Sequence, residues 1–213
     1  MKRFEKIFGV VFVIGLILRL VLISGAYILI SIASIALVCF YWFFGFAFFN
    51  DIKLKNIFNK KSYKGISVLR IIGSIVTGWT LSIICFGIFV KMQPSYLPGV
   101  MMVLLIGLIM IFVITCSVLY QFFRSKSIFY KKILLRLVII GGLGVLLFVT
   151  PDLTIAKFLH RDNHDYIKKL ERHLDNPQNE EARKQLEIEY NKTSLNLTQE
   201  EYEEYEKYLQ KNR

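Results

Sequence analysis

Apolar residues in this chain gather in long runs instead of alternating with polar ones. Residues 7–49 carry a single charge, Arg19; residues 71–90 and 99–119 carry none; residues 133–150 carry only Arg136. Runs of about 18 or more apolar residues read as membrane spans, because about 20 residues rising about 1.5 Å each cross a hydrocarbon layer about 30 Å thick. The first run is long enough for two spans, and Ser24-Gly25 offers the break, since glycine tolerates the backbone angles of a tight turn. The pattern predicts spans at about 7–23, 26–49, 68–90, 99–121 and 133–150. Pro94 and Pro98-Gly99 part the third from the fourth, and Pro151-Asp152 ends the fifth. The basic start (Lys2, Arg3, Lys6) ahead of an apolar stretch also has the outline of a signal peptide. No A-x-A-like site follows, so it reads as an uncleaved span.

Beyond residue 152 the apolar positions fall at helical spacing. A helix at 163–174 aligns Tyr166, Ile167, Leu170 and Leu174 and stops at Asn176-Pro177; a second at 179–191 aligns Ala182, Leu186 and Tyr190. A third opens on a capping box, Thr198-Gln-Glu-Glu201, with Leu197 and Tyr202 placed as its hydrophobic staple; Tyr202, Tyr205 and Leu209 share a side. The expected fold is therefore all-α: a polytopic membrane domain over 1–151 with about five transmembrane helices, then a polar helical tail over 152–213.

Lysine and arginine set the orientation. Segment 1–6 holds three, 50–66 holds five and 122–132 holds four, whereas the opposite loops hold only Lys91. This bias predicts a cytoplasmic N-terminus in the cell membrane and, with five spans, a tail outside. It also accounts for the net charge of +11. Residues 1–159 contain 17 basic and 3 acidic residues, the rest of the chain 10 and 13. The basic excess thus lies beside the bilayer, and nucleic acid is not an expected partner. Cys39, Cys85 and Cys116 all fall within spans, where they act as small apolar residues.

The first two hairpins look related. Gly15-Leu-Ile-Leu-Arg19 matches Gly87-Ile-Phe-Val-Lys91 ahead of the outer turn, and Ser24-Gly25 matches Pro98-Gly99 after it. Ala33 and Gly107 then follow the turn glycines by eight residues, and Lys6-Ile-Phe-Gly9 matches Arg70-Ile-Ile-Gly73 at the start. Arg19-Leu-Val-Leu-Ile-Ser-Gly25-Ala26 resembles the basic-x-x-x-x-Pro-Gly-Ala turn of GldL-type proteins, and Lys91…Pro98-Gly99 is similar to it in a looser form. Those are two-span inner-membrane subunits of the gliding-motility and type IX secretion motor of Bacteroidetes. The resemblance implies a bacterial membrane protein with duplicated hairpins. It does not extend to the buried glutamate of that family's second span, for residues 26–49, 71–90 and 99–119 contain no Asp or Glu.

Candidate chemistry is sparse. Arg19 is the candidate intramembrane functional residue, although its position about 7 Å from the outer turn lets it snorkel to the headgroups. Arg70, Lys91 and Arg136 read as interface anchors, and the eight aromatics of Phe40–Phe49 as an interfacial belt. Ser74, Gly78 and Ser82 form a helix-packing stripe at i, i+4, i+8, and Gly141, Gly142 and Gly144 offer a second small-residue face. His160 and His164 with Asp165 have helical metal-ligand spacing but no Glu between them, so no metal is expected. With no nucleophile, base or phosphate-binding motif, no enzyme activity and no cofactor are expected. The expected function is a non-enzymatic assembly or interaction subunit of a membrane complex, meeting a protein partner or a second copy through its tail and small-residue faces. The alternative is a small channel or transporter with Arg19 near the pathway.

Overall fold

The computed structural model describes the chain apart from residues 22, 24, 93–99, 162, 196, 212 and 213, and apart from the side chains of 19, 20, 27, 100, 193–195, 199, 206 and 209–211. The described residues form α1 (Lys2–Leu20), α2 (Ala26–Phe49), α3 (Val68–Lys91), α4 (Val100–Ser125), α5 (Ile128–Val149), α6 (Asp152–Leu159), α7 (His164–Asp175), α8 (Glu180–Leu195) and α9 (Gln199–Lys211). Two short 3-10 turns, Leu54–Asn56 and Lys60–Tyr63, lie in the loop after α2. Four helices, α2 to α5, are long and apolar enough to cross a membrane, which fits a multi-pass membrane protein. α1 carries Lys2, Arg3, Glu5, Lys6 and Arg19 and is not among the four. The chain divides into a membrane-helix unit, α1–α5, and a tail unit, α6–α9.

Local chemistry sets the helix ends. Gly25 takes φ +83 before α2, a conformation open to glycine without strain. Asp51 takes φ +56 just after α2, and the Ile52 amide reaches back to the Ala47 carbonyl at 2.8 Å, closing orphan carbonyls. Ser67 caps α3 by accepting the Arg70 amide, and Ser127 caps α5 by accepting that of Phe129. Lys126, at φ +50, sends its amide to the Phe122 carbonyl. The loop expected over 122–132 is therefore a turn at 126–127: α4 runs on to Ser125 and α5 begins at Ile128. Arg124, Lys131 and Lys132 remain helical because their long stems carry charge to water from a helical backbone.

α1 lies antiparallel along α2. Phe4 stacks on Phe40 with ring centroids 5.2 Å apart, and farther along a Cβ on Gly15 would stand 2.9 Å from an Ile30 side-chain carbon. The α2–α3 contact is tighter. A Cβ on Gly78 would stand 2.7 Å from the Tyr41 carbonyl oxygen, and one on Gly45 2.8 Å from the Gly78 Cα. Small residues let these backbones approach as bulkier ones could not. In the second hairpin a Cβ on Gly87 would meet Leu104 and one on Gly107 would meet Ile84. In the sequence Ile30 and Leu104 each lie five residues beyond Gly25 and Gly99, so the return helices offer this contact at matching positions, while Gly15 and Gly87 stand ten and twelve residues before those glycines. α5 leans on α4 and α3 through Gly141 against Ile111 and Gly144 against Ile84.

The aromatic run at the end of α2 divides between two surroundings. Phe40, Tyr41, Phe48 and Phe49 are buried in a core with Leu81, Cys85, Val118, Phe129, Ile133 and Leu137, whereas Trp42, Phe43 and Phe44 face outward. The run is thus half core and half outer surface, because eight aromatics on about three helical turns cannot all face one way.

In the tail, α6, α7 and α8 enclose a small core of Ala156, Tyr166, Leu170 and Leu186. α6 was not expected from the spacing of apolar residues; it starts directly after Pro151, a residue suited to a helix start. Asn163 caps α7 and Asn179 caps α8. The α9 box is formed reciprocally: the Thr198 amide donates to Glu201 at 2.7 Å, and the Glu201 amide to the Thr198 hydroxyl at 3.3 Å. These hydrogen bonds hold the Glu201 carboxyl below its ordinary pKa.

Candidate functional site

Several charged groups of the membrane unit meet at the end where α1, α3 and α5 begin. Arg136 donates from Nε to Glu5 Oε1 at 2.5 Å and from Nη2 to Glu5 Oε2 at 2.6 Å. The Tyr41 hydroxyl donates to Glu5 Oε1 at 2.6 Å. Both charged side chains are four-fifths buried or more, and the Arg136 guanidinium also lies over the Phe48 ring. Glu5 is the sole acidic residue in 1–50 and Arg136 the sole charge in 133–150. That complementarity could have pointed to the pair, where sequence reading took Arg136 for an anchor and overlooked Glu5 and Tyr41.

Two further polar groups surround it. Asp51 takes Lys2 at 2.8 Å and Lys132 at 2.7 Å. Burial pushes the Asp51 carboxyl pKa up, but hydrogen bonds and charge from Lys132 and Lys2 outweigh this and hold it low. Asn50 donates to the Ser74 hydroxyl at 2.9 Å and accepts from Arg70 Nε at 2.9 Å, while the Arg70 guanidinium covers the Phe129 ring. The ends of α1, α2, α3 and α5 are thereby tied by side chains, not only by apolar packing.

A cleft of about 760 Å³ begins at this cluster and runs between α1 and α5. Glu5, Lys6, Gly9, Phe12 and Leu16 line it from α1; Arg136, Ile139, Gly142 and Leu146 line it from α5. Ser34 and Tyr41 of α2 and Cys85 and Ile88 of α3 form its back. The Ser34 hydroxyl is buried and makes no hydrogen bond among the described residues.

The residues singled out in the sequence are distributed as follows. Arg19 belongs to the last turn of α1, and its side chain lies outside the described residues. Ser74, Gly78 and Ser82 are on the α3 face that meets α2: Ser74 bonds Asn50, Gly78 abuts Tyr41 and Gly45, and Ser82 donates to the Val38 carbonyl at 2.9 Å. Among the described residues, the hydrogen bonds and ion pair of Glu5 and Arg136 involve none of the three. Gly142, unlike Gly141 and Gly144, faces the cleft. Lys91 is buried instead of lying at the rim; its Nζ donates to the Thr150 carbonyl at 2.9 Å, beyond the end of α5, where a cation suits the helix C-terminus. Pro94 and Pro98-Gly99 lie outside the described residues.

In the tail, His160 follows α6 and His164 opens α7, so a helix break separates them and they share no helical face. His160 stands beside Tyr166, with ring centroids 4.7 Å apart. Burial, and then Tyr190, push the Tyr166 phenol up to about 12. Among the described residues no three His, Cys, Asp or Glu side chains gather as a metal would need. No protein-family model, curated protein or solved structure matches the chain.

Proposed function

We propose that this chain is a non-catalytic subunit of a membrane complex: a five-helix anchor that presents the α6–α9 tail, on the side opposite its basic loops, to a protein partner. The observation that carries this reading is where the bundle's polar groups are directed. Ser74, Thr77 and Thr80 donate to the carbonyls of Arg70, Gly73 and Val76; Ser82 donates across to Val38; Glu5, Tyr41 and Arg136 satisfy one another. The first three bonds close within α3 and the others join one helix to another, so these groups are satisfied inside the bundle and do not form the file of polar sites that transport requires.

The fifth span in this proposal is α1. It is supported by the antiparallel course of α1 along α2, from Phe4 beside Phe40 to Gly15 beside Ile30, and by the charge balance of the loops. The matching glycine contacts of the two hairpins, Gly15 with Ile30 and Gly87 with Leu104, support a duplication, in line with the resemblance to two-span motor subunits. Pull-down of a tagged full-length chain from native membranes in mild detergent, beside a chain ending at Thr150, tests the function. The full chain retains a stoichiometric partner and the shortened one loses it; a full-length chain recovered alone contradicts the reading.

A further inference from the structure

The cleft between α1 and α5 has a charged end and an apolar length, and we infer that it takes an acyl chain of an anionic phospholipid whose phosphate rests against Arg3 and Lys6. Three features carry this. The first is size: about 760 Å³ falls within the roughly 300–1,000 Å³ of ligand cavities. The lining on α1 extends from Glu5 to Leu16 and on α5 from Leu135 to Leu146, twelve residues or roughly 16 Å of helix rise in each case. That is about half of a hydrocarbon layer about 30 Å thick, the depth of one leaflet. A partner's transmembrane helix, about 10–12 Å across, would need a groove along the whole layer.

The second is charge. At the polar end Lys2, Lys132 and Arg136 meet Asp51 and Glu5, and the first turns of α1 add Arg3 and Lys6. Asp51 is taken by Lys2 and Lys132, and Glu5 by Arg136. Arg3 and Lys6 are exposed and form no ion pair among the described residues; Lys6 is part of the cleft lining, and Arg3, three residues earlier in α1, adds positive charge to the same helix end. A phosphate from the adjacent leaflet suits that charge.

The third is the glycines. Gly9 and Gly142 line the two facing walls, and a Cβ on either would meet nothing within 4 Å. Glycine inside a helix is costly relative to alanine, and no protein contact requires it at these two positions. They keep the cleft wide. Ser34, whose hydroxyl has no protein partner among the described residues, belongs to the back of the same cleft.

The test is native mass spectrometry and thermal unfolding of the purified full chain with added phosphatidylglycerol or phosphatidylcholine. It is run on the native sequence, on Gly142→Leu and on the surface double variant Arg3→Gln/Lys6→Gln. The native chain is expected to retain one phosphatidylglycerol, at least tenfold over phosphatidylcholine, with a matching rise in unfolding temperature. Gly142→Leu is expected to lose the lipid while folding at least as stably in detergent, and the double variant to keep a lipid but lose the preference. Equal retention of the two lipids by the native chain would overturn the inference. So would a folded Gly142→Leu chain with undiminished lipid, or conversion of a dimer to a monomer by that variant, which would place a second copy in the cleft. Should Gly142→Leu fail to fold, an unaltered preference in the double variant overturns it instead.

Discussion

Glu5 and Arg136, 131 residues apart in the chain, form a two-point ion pair at 2.5 and 2.6 Å that joins the first helix of the membrane unit to the last. Tyr41 of α2 donates to the same carboxylate, so three helices converge on one acidic side chain. Bidentate geometry favours arginine over lysine here, because the planar guanidinium presents two parallel donors.

Removing either member should leave a largely buried charge without its counterion. Glu5→Gln and Arg136→Gln are each expected to lower unfolding stability in detergent by about 3 kcal/mol. The exchanged pair, Glu5→Arg with Arg136→Glu, should recover a substantial part. Equal losses in the single and exchanged variants would show that the pair is not what holds α1 to α5.

The α2–α3 contact makes a matched comparison. Gly78→Ala places a methyl group 2.7 Å from the Tyr41 carbonyl oxygen, and the helices must part to admit it, at about 1–3 kcal/mol. Gly73→Ala on the same helix meets nothing within 4 Å and should gain up to about 1 kcal/mol from helix propensity. Thermal unfolding of both checks the difference in sign.

Two buried serines differ in the same way. Ser82 donates to the Val38 carbonyl, so Ser82→Ala should cost about 1 kcal/mol, whereas Ser34→Ala removes a hydroxyl without a protein partner among the described residues and should be neutral or mildly stabilising in lipid-free detergent. A costly Ser34→Ala would mean that the hydroxyl is satisfied by a group other than those described.

In the tail, burial pushes the Glu189 carboxyl pKa up, but Lys169 and then Lys192 outweigh it and hold it below its ordinary value of 4.5. A folded-state pKa below the unfolded one contributes stability that is complete above the unfolded value and is lost as pH falls through the folded one. Protection of α7 and α8 amides, corrected for intrinsic exchange, should therefore be level from neutral pH down to about 5 and decline in more acid solution. Glu189→Gln should start lower and show a weaker dependence.

The long helices were legible because hydropathy is cumulative: no arrangement of 26–49 or 68–90 other than a buried or membrane-spanning helix suits such runs. Helix ends were less so, since Arg124, Lys131 and Lys132 look like loop residues yet reach water from helical backbone. The capping box at Thr198 and Glu201 could be read because its partners are three residues apart. The Glu5–Arg136–Tyr41 cluster could not be found by spacing, as its members lie on three helices brought together by tertiary packing. Its one trace in the sequence, the lone acid Glu5 in 1–50 against the lone charge Arg136 in 133–150, names no geometry. The cleft had no local signature either, for Gly9 and Gly142 resemble the packing glycines Gly15 and Gly141 until their neighbours are known.

If α1 crosses the bilayer as proposed, the tail stands on the side opposite the basic loops. The direct measurement is the activity of reporters fused after Arg213 in the full-length chain. An alkaline phosphatase fusion should be active and a green fluorescent protein fusion dark. A silent phosphatase with a bright fluorescent fusion would mean an even number of crossings and would contradict the five-span arrangement.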